Sequence, residues 1–172
     1  MRNNQPVTQR ERTFPAQQRL ISTTDAKGVI TYCNDAFVEI SGFTREELLR
    51  APHNLVRHPD VPGAVFAHMW TTLKQGLPWM GIVKNRCKTG DHYWVNAYVT
   101  PVFEGNQVVG YESVRIKPTA EQIRRAARHH SVCSTSVYAW VKAVALHWRC
   151  RWCAPIRGRP PGCLRKPASH RR

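Results

Sequence analysis

The residues with the most chemistry per length lie in "HNLVRHPDVP", residues 53–62. Two histidines, Arg57 and Asp60 sit within ten positions, and two prolines punctuate them. Such a stretch is too polar for a core and too constrained for an idle linker. Arginine offers a planar fork of donors to carboxylates, phosphates and ring edges. Imidazole donates, accepts, or binds metal. Further on, Asn85 sits in "KNRCKTG", where an amide both donates and accepts. The rest of the chain offers no catalyst: no paired carboxylates at one site, no nucleophile with its base and no glycine loop for phosphate. A zinc site would have to come from Cys150, Cys153, Cys163, His147 and His170. Only one Cys-x-x-Cys pair exists there, and the other spacings follow no standard pattern.

Charge and cysteine divide the chain. The last 51 residues hold 12 of the 26 Lys+Arg and none of the 11 Asp+Glu, so they carry +12 of the net +15. Four of the six cysteines are there as well. Twelve basic residues interleaved with Trp140, Trp148 and Trp152 predict non-specific adherence to RNA rather than a specific nucleic-acid partner. No secretory leader is visible. The longest near-apolar run, residues 137–148, is broken by Lys142 and is too short to cross a bilayer. The expectation is a soluble cytoplasmic chain with reduced front-half thiols.

The elements that must position the polar stretch can be read locally. "LISTTDAKGVITYCN" is a hairpin around Asp25-Ala-Lys-Gly28, with Asp first and Gly fourth as a type I turn prefers. Asn34 suits the cap of a short helix that Gly42 stops. Thr44 with Glu47 forms a capping box for a second. Phe66, Trp70 and Leu73 make one helix face, which Gly76 ends. Three long strands follow, joined by turns at Lys88-Thr89-Gly90 and Glu104-Gly105-Asn106. The order predicts an α+β domain: a five-stranded antiparallel sheet with short helices on one face. Its expected bounds are a flexible arm over 1–19, the domain over 20–120, and a basic tail over 121–172, disordered, irregular or partly helical.

At this point the residues resemble a known family. "STTDAKGVITYCNDAFVEISGFTREEL", "PHNLVRHPDVP", "MWTTLKQGLPWMGIVKNRCKTGDHYWVNAYVTPV" and "GYESVR" look like the N-terminal PAS domain of bacterial aerotaxis receptors, which belong to the methyl-accepting chemotaxis proteins. The resemblance implies a PAS fold and a non-covalently bound FAD that reports redox state and oxygen supply. It implies that Arg57, His58 and Asp60 are needed for FAD binding, with Arg57 on the pyrophosphate or ring edge, His58 on the ligand or loop, and Asp60 either capping the next helix or touching the ligand. It implies that Asn85 bonds the ring edge and that Asn34 is either a pocket residue or a helix cap.

Phe66, Trp70 and Trp79 are candidates for the pocket walls, and Arg115 is a candidate for tuning the potential. A second ring-binding asparagine of related light sensors falls here on Val95, with Asn96 beside it. Those sensors also need an adduct cysteine where this chain reads Asn54-Leu55-Val56. Cys33 and Cys87 read as ordinary core or edge residues. The family implies a PAS homodimer, an inner-membrane anchor in full-length members, and output to a HAMP segment, reachable here only in trans on an intact receptor. From residue 125 the text turns to Arg, Cys, Trp, Pro and His, the composition of a GC-rich gene read out of frame, so a truncated or frameshifted receptor is expected. The alternatives are a cofactor-free dimerisation module and a heme gas sensor with His68 as axial ligand.

Overall fold

The computed structural model describes residues 4–133. Its front is a hairpin of β1 (Leu20–Asp25) and β2 (Ile30–Cys33). The turn forms because Asp25 Oδ1 accepts from the N–H of Lys27 and of Val29, at 2.8 and 2.9 Å, while Gly28 takes a positive φ of 82°. Helix α1 (Asp35–Ser41) starts at Asn34, whose Oδ1 accepts from Phe37 N, and stops at Gly42, φ 71°. Helix α2 (Arg45–Leu48) carries both bonds of the Thr44–Glu47 capping box. A 3₁₀ turn, His53–Val56, leads to α3 (Gly63–Lys74).

The long strands are β3 (Trp79–Arg86), β4 (His92–Glu104) and β5 (Gln107–Ile116). All pairings are antiparallel and the sheet order is β2-β1-β5-β4-β3. Adjacent hairpins explain three of the four pairings. The fourth, β1 on β5, closes the sheet across some ninety residues of chain, with Leu20 opposite Arg115 and Asp25 opposite Gly110. Gly110 permits it, because a Cβ there would lie 2.2 Å from the carbonyl oxygen of Thr24.

The core lies between the sheet and α1–α3, where Leu20, Ile30, Phe37, Leu48, Val56, Leu73, Tyr93 and Val95 are buried. This is the expected architecture of a five-stranded antiparallel sheet with short helices on one face. The arm over 4–19 lies along the domain and is fastened to it. Asn4 Nδ2 donates to the carbonyls of Asn54, Leu55 and Arg57, Arg86 reaches the carbonyls of Gln5 and Pro6, and the backbones of Arg10 and Arg12 pair with His92. Helix α4 (Ala120–Cys133) starts the expected tail and packs against the other face of the sheet, where His130 stacks on Trp94. The cysteines, tryptophans and histidines beyond it, with the zinc and nucleic-acid expectations attached to them, lie outside the described residues.

Candidate functional site

Between α3 and the inner face of the sheet is a cleft of about 640 Å³ when its open mouth is counted. Its walls are apolar. Phe66, Met69, Trp70 and Leu73 come from α3, Trp79 and Val83 from β3, Ala97 and Val99 from β4, and Tyr111 from β5. The helix face predicted from Phe66, Trp70 and Leu73 is therefore the face that lines it. Two indoles are seated over glycines. A Cβ on Gly81 would fall 2.4 Å from the Trp79 ring, and one on Gly28 3.3 Å from the Trp70 ring. Trp70 meets Tyr111 edge-on at 5.3 Å.

Polar groups of the cleft converge from three segments: His53 and Arg57 from the loop, Asn85 from β3, and Ser113 and Arg115 from β5. The loop is tied to β3 by a bridge between Arg57 and Asn85, which sets the two side by side. Arg57 lies over the Phe66 ring, 3.9 Å from its centroid, and burial lowers its pKa. Arg115 is 2% exposed and lies over Phe37. Its Nη2 donates to Ser22 Oγ and to His53 Nε2, the latter at 2.8 Å, while its Nη1 is buried without a hydrogen-bond partner. Burial brings its pKa down to about 10, so it stays cationic at neutral pH. His53 stacks on Phe37 and accepts from Arg115, which places its own proton on Nδ1. Burial, then the charges of Arg115 and Arg57, hold it well below the usual histidine pKa. Among the described residues, no carboxylate pairs with Arg57 or Arg115.

Of the residues singled out in the sequence, Arg57, Phe66, Trp70, Trp79, Asn85 and Arg115 line one cleft. The other three do not. Asn34 is a helix cap, and it also ties β1 down through Ile21 N and Arg19 O. His58 is fully buried outside the cleft lining, accepts from Asp60 N, and meets His92 edge-on. Asp60 caps no helix. Pro62 occupies the cap position of α3 without a side-chain bond, and Asp60 instead takes Lys84 Nζ at 2.7 Å. Sequence reasoning missed His53, although it opens the polar stretch and the fold places it against Arg115. His68 lies outside the cleft lining, and its Nδ1 accepts from Trp79 Nε1. Cys33 and Cys87 are buried and also outside the lining. Among the described residues, no His, Cys, Asp and Glu cluster fit for a metal ion occurs.

Residues 30–115 match the PAS fold family. The chain belongs to it. Over 117 residues, 68% of this PAS chain, the sequence is 52% identical to the Aerotaxis receptor of Escherichia coli (strain K12), and the match spans 23% of that receptor's length. Two solved PAS-fold structures resemble it. The light-state structure of the blue-light photoreceptor Aureochrome1 LOV has a TM-score of 0.60 at 16% identity, covering 67% of this chain and 93% of that one. A light-oxygen-voltage domain studied with a flavin analogue has a TM-score of 0.58 at 17% identity, covering 76% and 89%. At those identities the likeness is one of fold. Among the described residues, no helix of this PAS chain is long and apolar enough to cross a membrane.

Proposed function

We propose that this chain is the sensor domain of an aerotaxis-type receptor, that it holds FAD non-covalently, and that it reports redox state and oxygen supply without catalysing a reaction. The observation that carries this reading is the fully buried guanidinium of Arg115 beside the half-buried one of Arg57, both lining an apolar aromatic cleft with no carboxylate paired to either among the described residues. Buried charge is costly unless paired. A ligand that joins a planar aromatic ring to negative charge satisfies both features, and a flavin dinucleotide is such a ligand. The names of the similar proteins, an aerotaxis receptor and light-oxygen-voltage domains, support the same class.

Bound flavin takes up and returns electrons. The protein's share is to orient and to stabilise charge. The walls, Trp70 and Trp79 above all, fix the plane of the ring. Asn85 offers a donor and an acceptor to its polar edge. Arg115, with an unused Nη1, and His53, with its proton on Nδ1, supply positive charge and a donor where negative charge grows on reduction. Arg57 supplies the charge that a pyrophosphate needs. His58, Asp60 and Asn34 act on the ligand only by holding the loop and β1 in place. Output passes to a partner copy through a PAS dimer, or to the HAMP region of an intact receptor in trans, with the domain on the cytoplasmic side.

The absorption spectrum of the purified chain, oxidised and then reduced with dithionite, tests this. Flavin bands that bleach, with FAD released on denaturation, are expected, and Arg57→Ala and Asn85→Ser should each lose most of the bound flavin. A featureless spectrum after refolding with FAD would leave a cofactor-free dimerisation module, and a Soret band would transfer the cleft to heme.

Gly81→Ala is a steric test of the same cleft. The new methyl forces the Trp79 indole off its seat. Overpacking of this kind costs about 1–3 kcal/mol, and because that ring lines the cleft, the cost should be read as weaker FAD binding by equilibrium titration. Unchanged affinity would remove Trp79 from the binding wall.

A further inference from the structure

Trp79 does more than close the cleft. Its Nε1–H donates to His68 Nδ1 at 3.1 Å, across from β3 to α3. The bond aims the basic lone pair of an imidazole at the indole proton. A neutral indole holds that proton tightly, but an indole that has lost one electron becomes a strong acid and yields it to a nearby base. Trp70, on the same cleft, touches Tyr111 edge-on and makes no hydrogen bond to a described residue. Of the two wall indoles, Trp79 alone is built to lose an electron and a proton together.

We infer that Trp79 and His68 form a proton-coupled electron donor to flavin in the cleft, giving this domain a light-driven activity that needs no adduct cysteine. The inference rests on flavin binding as proposed above. Flavin, when bound, would supply a one-electron oxidant under blue light. One electron would then leave the Trp79 ring for that oxidant. The Nε1–H bond breaks, its proton forms a new bond to His68 Nδ1, and the products are a neutral indolyl radical and an imidazolium. In the dark the electron returns to the indole and the proton returns from His68, so nothing is consumed. The proton shift slows that return, because the electron must wait for the proton. Cys33 and Cys87 lie outside the cleft lining, so neither thiol competes.

The test uses the full chain loaded with FAD, with the bound flavin identified by release and chromatography. Transient absorption after a blue flash should show a long-lived deprotonated indolyl radical, formed more slowly in heavy water and absent in Trp79→Phe. His68→Gln keeps an acceptor oxygen but removes the base, and the yield of long-lived radical should fall about tenfold, the factor set by one hydrogen bond's net worth. A readout free of flavin and light is the Trp79 indole N–H resonance of the ligand-free chain. It should lie downfield, as a hydrogen-bonded indole N–H does, and move upfield in His68→Phe, which removes the acceptor; an unchanged resonance would overturn the Trp79–His68 pair. Bound FAD with no radical, or a radical unaffected by His68→Gln, overturns this inference and leaves the sensor reading intact. Failure to bind FAD overturns both.

Discussion

Arg115→Met is expected to make the ligand-free protein harder to unfold and the flavin easier to lose. The guanidinium is 2% exposed and has no counter-ion among the described residues. Burial has already brought its pKa down to about 10, the signature of an ion that the interior does not compensate. Methionine fills a similar volume without charge. The groups that lose a donor are Ser22 Oγ and His53 Nε2, and these lie 3.1 Å apart, so the hydroxyl can donate to the ring and leave neither orphaned.

Replacing a buried ionic group by a packed apolar one is often stabilising by about 1–4 kcal/mol, and the urea midpoint of the ligand-free variant should rise accordingly. The bound flavin should respond the other way. One charge-assisted hydrogen bond is worth about 1.5–3 kcal/mol, so the midpoint potential of a one-electron couple should drop by roughly 65–130 mV, with weaker retention of FAD. Spectroelectrochemical titration beside chemical denaturation separates the two effects. A variant that loses stability and flavin together would make Arg115 a structural strut. Opposite signs would show that the cation is retained for the ligand at a cost to the fold.

The parts of this structure that were legible in the sequence are the ones decided by near neighbours. Asp25 and Gly28 determine a turn through bonds two and four residues away, and Thr44 with Glu47 caps α2 within one turn. The spacing of Phe66, Trp70 and Leu73 gave the helix face, and that face proved to be the cleft wall. Asn34 shows the same rule from the other side. A local cap and a pocket contact were both open for it, and the cap is what formed, with Ile21 and Arg19 as added partners.

Asp60 shows where local logic stops. Three residues before α3 it suited a cap, but Lys84 from the edge strand β3 offers a charge at 2.7 Å, and a long-range ion pair displaced the local bond. His53 was beyond reach for a related reason. Its partners are Ser22 on β1, Phe37 on α1 and Arg115 on β5, and only the β1–β5 closure brings them together. Nothing in the spacing of residues 53–62 distinguishes it from His58, which the same fold buries away from the cleft. The arm over 4–19 was read from polarity alone. Polarity does not reveal that Asn4 would find three carbonyls of the cleft loop or that Gly90 would leave room for the Pro6 carbonyl.

Acid should unfold this domain well before its carboxylates titrate. His53, His58, His92 and His130 all have pKa values below the usual 6.5, each because burial disfavours the charged ring. Lys84 adds repulsion at His58 and His92, Arg115 and Arg57 at His53, and His129 at His130. His58 and His130 come down to about 4.

The sign follows from proton counting. Between pH 6.5 and 4 the unfolded chain binds protons at these rings and the folded chain does not, so stability falls as the pH falls. Each ring that stays neutral contributes a slope of up to about 1.4 kcal/mol per pH unit, and less where solvent reaches the ring. Asp60, kept ionised by Lys84 against the opposing effect of burial, adds a further loss only at lower pH, below the ordinary carboxylate value of 3.8. Urea midpoints of the ligand-free protein should therefore decline steeply between pH 7 and pH 5, and His58→Gln should flatten that decline even if it lowers the midpoint at pH 7. A flat profile over those two units would mean that the histidines accept protons in the folded state, which would also release Arg115 from its bond to His53 and undo the arrangement of the cleft.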